Sequence, residues 1–200
     1  SSIQVERELY ADIMFIEGTP FLISVTAPLG LTVVIDLKGK RNEEHVWDAM
    51  QTTLNEYQRR GFRIMNVHSD GEGAIKLCEN KLRALGIGFN PSGAGKHVPI
   101  IERKIRVVKE RIRCVKNTLP YQLPKFLMPY LVKFCVLTIN VMPSSLRADS
   151  ISPKEAFTGV KLDFKRDLRI CFGEYCQVFI PNQVKNSIEP RTEGAIALLP

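Results

Sequence analysis

The sequence predicts an α/β fold: a mixed five-stranded sheet flanked by helices, with a small C-terminal extension. Three observations predict it. Residues 8–38 hold three runs rich in β-branched and aromatic residues, divided by Gly and Pro, as in an antiparallel meander. Residues 42–90 alternate helical and strand patterns, which adds parallel strands. From His97 to Thr118 apolar residues recur every three or four positions, as in a long amphipathic helix.

Each element has a local reason. Glu8–Glu17 is the first strand and turns at Gly18-Thr19-Pro20; Phe21–Thr26 and Leu31–Leu37 follow, parted by Pro28 and Gly30. Asn42 caps a helix running to Arg60, with Val46, Met50, Leu54 and Tyr57 at helical spacing and Gly61 as its stop. Phe62–His68 is the fourth strand. Ala74–Leu85 is a second helix, with Ile75, Cys78, Leu82 and Leu85 on one face and Gly86 ending it. Ile87–Asn90 is the fifth strand, and Pro91-Ser92-Gly93-Ala94-Gly95 reads as a mobile loop. The long helix buries Val98, Ile101, Ile105, Val108, Ile112 and Val115. Leu123–Met142 reads as a more apolar helix kinked at Pro129. Ser152-Pro153-Lys154-Glu155 is a capping box opening a short helix that Gly159 ends. Arg169–Ile180 reads as a strand or hairpin, and Ala195–Leu199 as a short strand in a loop-like tail. Residues 1–145 are expected to form the core and 146–200 the extension.

Two hundred residues, 44% of them apolar, suffice for one well-buried domain and exclude bulk disorder. A net charge of +7 points to a polyanionic partner such as nucleic acid. The five cysteines form no CxxC pair and lie in apolar patterns, as small buried thiols of a reducing compartment do. His45, His68 and His97 are far apart, and no zinc motif is present. No segment reads as a signal peptide or membrane span. The chain begins at Ser1 rather than Met and is expected to be a piece of a longer polypeptide.

Three acids carry the chemistry. Asp12 lies inside the apolar run Leu9–Ile16, Asp70 ends the fourth strand before Gly71-Glu72-Gly73, and Glu102 opens the long helix. A carboxylate in an apolar strand must be compensated. Three converging carboxylates repel one another unless a cation holds them. Magnesium is the usual ion for all-oxygen sites acting on phosphates, so the pattern points to metal-dependent phosphoryl transfer. Taken alone, Asp70 reads as a turn residue and Glu102 as a solvated first-turn acid; Asp12 is harder to dismiss. Asp36 competes with Asp12 but sits at a strand end, and Glu72 is an alternative to Asp70. Beside the buried stripe of the long helix runs a charged one: Glu102, Arg106, Lys109, Arg113 and Lys116. A phosphate backbone along its cations leads to Glu102. The Gly-rich loop lacks the Gly-Lys-Ser/Thr of a Walker motif. His97 is read as structural.

Taken together, Tyr10-Ala11-Asp12-Ile13-Met14-Phe15 with Pro20-Phe21-Leu22, His68-Ser69-Asp70-Gly71-Glu72-Gly73-Ala74, and Gly95-Lys96-His97-Val98-Pro99-Ile100-Ile101-Glu102-Arg103 resemble the catalytic core of retroviral and retrotransposon integrases. These are DDE polynucleotidyl transferases of RNase H-like fold. The likeness looks closest to copia-type polyproteins and extends through Ser152–Gly159. The resemblance implies Asp12, Asp70 and Glu102 as catalytic metal ligands for two magnesium ions, with manganese as a substitute. It implies Arg106 and Lys109 as contacts to donor DNA, and Arg113 of the same basic face and Lys96 just before the helix are expected DNA contacts with them. It further implies 3′-end processing of element DNA and joining to target DNA, a homo-oligomer on double-stranded DNA, and a place in the nucleus or a virus-like particle. A decayed DNA-binding relic and a nuclease of the same fold are the competing readings. The chain departs from the family pattern in a shorter Asp70-to-Glu102 interval and in Gly-Ala-Gly-Lys-His-Val-Pro, which replaces the usual Gln-rich stretch.

Overall fold

The computed structural model describes residues 5–70, 73–91, 99–181, 188 and 190–199. A five-stranded sheet runs in the order β3-β2-β1-β4-β5. Its strands are β1 (Val5–Ile16), β2 (Thr19–Ala27), β3 (Thr32–Asp36), β4 (Phe62–Ser69) and β5 (Gly88–Pro91). The first three form the antiparallel meander; β4 pairs with β1, and β5 with β4, in parallel. The β1–β2 turn is two residues, Glu17 and Gly18, both at positive φ (48° and 82°), the backbone that suits a tight hairpin.

Two apolar layers sandwich the sheet. One joins Leu9, Ala11 and Leu22 to α1 (Glu43–Arg59) through Val46, Met50 and Tyr57, and to Ile75, Cys78 and Leu82. The other joins Met14, Ile16, Phe21, Ile23 and Val25 to α3 (Pro99–Thr118) and α4 (Met128–Asn140). The alternation along β1 therefore sends Leu9, Ala11 and Ile13 towards α1, and Tyr10, Met14 and Ile16 towards α3 and α4.

The parallel β1–β4 register slips by one residue. Arg7 pairs with Ile64 but Glu8 pairs with Asn66, which leaves Met65 unmatched. This bulge lets Ile64 and Val67, three apart, both enter the α1-side core. From there on, Asn66 and His68 lie opposite Glu8 and Tyr10.

Several expectations hold in detail. Asn42 accepts the His45 N–H at 3.2 Å to cap α1, and Ser152 accepts the Glu155 N–H at 3.2 Å to cap α5 (Pro153–Thr158). Gly159 closes α5 in the left-handed conformation. Others need correction. Ala74–Leu85 is not one helix: a 3₁₀ turn at Lys76–Cys78 leads into a short α2 (Glu79–Ala84). Pro129 does not kink a helix; it sits in the first turn of α4, where its missing N–H costs nothing, after a separate 3₁₀ turn at Lys125–Leu127. Pro91 ends β5 rather than opening the loop, whose other residues lie outside those described. Only Cys78 and Cys135 are buried; Cys114 and Cys171 are exposed and Cys176 half-buried.

Past α5 come α6 (Phe164–Asp167), which the sequence pattern did not predict, and a hairpin of β6 (Tyr175–Phe179) with β7 (Thr192–Ile196). Phe172 and Leu198 pack into the α3–α4 core, and Phe157 into the α1 core. Among the described residues no helix is long and apolar enough to cross a membrane.

Candidate functional site

Asp12 follows Tyr10 by two positions on β1, so its side chain takes the α3 face of the sheet. It is half-buried, and its Oδ1 accepts the Ile13 N–H at 2.7 Å. Asp70 follows His68 by two positions at the end of β4. Because Tyr10 and His68 are register partners, the same step along each strand brings Asp12 and Asp70 alongside one another. The Met65 bulge makes this possible. Without the extra residue, the side-chain parity of β4 would be reversed relative to β1.

Glu102 comes from the opposite layer, in the first turn of α3, exposed and near the positive end of the helix. Burial raises the Asp12 carboxyl above the ordinary range. The negative charges of Asp70 and Glu102 raise it further, against the Ile13 N–H and the positive charge of Lys109. The three acids thus share one electrostatic field, and Lys109, about two α-helical turns beyond Glu102, reaches into it.

These groups meet one requirement of a divalent hard cation: they are all carboxylate oxygens whose mutual repulsion a cation relieves. They do not form a closed cage. Among the described residues, no three His, Cys, Asp or Glu side chains stand close enough to hold a single ion.

The other candidates separate clearly. Asp36 is a turn residue, accepting the Lys38 N–H at 2.7 Å. Arg106 and Arg113 are exposed on α3, but Arg113 is ion-paired with Glu110, and Lys116 with Glu17 of the β1–β2 turn. Lys96, His97 and Glu72 lie outside the described residues.

Two features were not predicted. The first is a polar column leading to Asp12 and Asp70. The Tyr10 and His68 rings stack at 4.7 Å and 16°, His68 Nε2 lies 2.6 Å from Glu8 Oε2, and Asn66 donates to Glu8 Oε1 at 3.0 Å. Its signal was in the sequence, as polar residues at every second position: Glu8, Tyr10, Asp12 and Asn66, His68, Asp70. The second is a cleft on the far side of the acids, lined by Asp12, Asp70, Phe15, Arg41, Ile75 and Leu77. No local pattern signals it, because Arg41 and Phe15 meet only through the fold.

No sequence-family profile matches the chain, and no curated protein matches it in sequence. A solved structure is similar in fold: the catalytic core domain of BIV integrase, at 15% identity and a TM-score of 0.58, over 76% of this chain and 93% of that one. The chain has an integrase-core-like, RNase H-like fold.

Proposed function

We propose that the chain is the core of a divalent-metal-dependent polynucleotidyl transferase, an integrase acting on the ends of a mobile element of copia type. The observation that carries this reading is the shared field of Asp12, Asp70 and Glu102, drawn from a central strand, a neighbouring strand end and a helix. Magnesium bound there would neutralise the carboxylates and polarise phosphate oxygens. Asp12 and Asp70, adjacent across the β1–β4 pair, would hold one side of the metal site; Glu102 would close it from α3. Lys109, with Arg106 beside it, would carry the DNA backbone towards the acids. Processing of 3′ ends and their joining to a target would be the reaction. Its setting would be an oligomer that brings two ends together, in the nucleus or a virus-like particle.

The test is strand transfer with magnesium or manganese by the wild type and by Asp12→Asn. Loss of joining in the variant is expected; full activity in it would sink the reading. A second reading, a DNA-binding core without catalysis, is favoured by the open arrangement of the acids. Calorimetric titration with magnesium separates the two: carboxylate-dependent binding belongs to the transferase alone.

A further inference from the structure

The acids have cations on two sides. Lys109 lies on α3, and Arg41 lies across the cleft, just before α1. Arg41 is exposed and forms no ion pair with a described residue; its guanidinium carbon sits 5.2 Å from the centroid of the Phe15 ring. Phe15 is itself 41% exposed, three residues after Asp12 on the same strand. Leu77, 57% exposed, adds an apolar wall. A ring this exposed, covered by a guanidinium that ion-pairs with no described residue, at the rim of a carboxylate cleft, has no role in the core.

We propose that Phe15 and Arg41 form a binding subsite for one unpaired nucleotide of DNA, next to the phosphate that a divalent cation at Asp12 and Asp70 would hold. This rests on the transferase reading above. The base stacks on Phe15, which any base can do because each has a π face. Arg41 leaves the ring for the adjoining phosphate. That exchange is easy because an exposed cation–π contact is weak, and a guanidinium matches phosphate geometry. Asp12 and Asp70 repel phosphate and acidic peptide alike unless a divalent cation neutralises them, and of the two only a nucleic acid carries a base to stack on the ring. A nucleic-acid strand instead continues across the acids to Lys109, so its path runs from α3, over the end of the sheet, to the start of α1. A fully paired end keeps its bases stacked inside the duplex and cannot use the ring, so the subsite favours a frayed or overhanging end.

The test is fluorescence anisotropy with two duplexes of one sequence, one blunt and one with three unpaired 3′ nucleotides. Calcium is present to neutralise the carboxylates. The wild type should prefer the overhang. Phe15→Ala should lose roughly tenfold or more of its affinity for the overhang duplex and little for the blunt one, while Phe15→Tyr keeps the preference. Arg41→Gln should lower the salt slope by about one. Both side chains are exposed, so thermal melting should be unchanged. If Phe15→Ala and Arg41→Gln bind both duplexes as the wild type does while Lys109→Gln weakens, the subsite is overturned and the transferase reading stands. If the wild type binds neither duplex, both fall.

Discussion

Asn140 and Thr32 exchange two hydrogen bonds: the Thr32 N–H donates to Asn140 Oδ1 at 2.9 Å, and Asn140 Nδ2 donates to Thr32 O at 2.7 Å. A side chain of α4 therefore does what a neighbouring strand would do at the start of β3, the outermost strand on that side of the sheet. Both residues are buried. Asn140→Ala strands a backbone donor and acceptor together, and is expected to cost about 2–4 kcal/mol in denaturant unfolding. Asn140→Asp keeps the acceptor but loses the donor, and should also destabilise.

The raised Asp12 carboxyl makes a signed prediction. Burial and the charges of Asp70 and Glu102 favour its protonated form in the folded state. The folded protein thus binds that proton more tightly than the unfolded chain. Its stabilising share is full below the ordinary carboxylate range and is lost as pH rises through the elevated folded value. Without metal, Asp12→Asn should then be more stable than the wild type at pH 7, and the difference should shrink in acid. Urea midpoints in chelator across that range would check it. Added magnesium should reverse the order at pH 7, because only the wild type gains from binding.

Gly88 leaves room for the polar column. A Cβ there would stand 2.1 Å from Asn66 Oδ1. Gly88→Ala must push the amide away from Glu8, which Asn66 and His68 hold together. The expected cost is about 1–3 kcal/mol. A change in the His68 imidazole resonances by NMR would show that the column has opened.

The cations of α3 are not equivalent. Lys109 acts on the Asp12 carboxylate, whereas Arg113 is engaged by Glu110. Lys109→Gln should weaken DNA binding uniformly over sequences and lower the salt slope by about one. Arg113→Gln should do less, since its contact with DNA must first displace Glu110. Binding isotherms from low to moderate salt distinguish the two.

The order of strands and long helices was legible because each obeys a local rule: alternation in β1, an Asn cap on α1, a three-and-four repeat on α3. What failed did so where the context outside the segment decides. Ala74–Leu85 shows helical spacing, yet only Glu79–Ala84 is α-helical, after a 3₁₀ turn that seats Cys78 in the core. Asp12 stood out in sequence because a charge in an apolar run is rare. Asp70 and Glu102 did not, and their relevance depends on how strands and helix meet. Phe15 and Arg41 left no trace, being ordinary residues until the fold brings them together.

Met65 gives the site an unusual mutational profile. Side-chain replacements along β4 leave the count of residues unchanged, so they leave Asp70 on its side of the sheet. Removing one residue between Ile64 and His68 would turn Asp70 away while the strand stayed equally apolar and equally able to pair. Replacing it elsewhere, between His68 and Asp70, would turn Asp70 back. The position of that carboxylate is therefore written in the length of a strand rather than in its letters, and a scan of substitutions alone would pass over it.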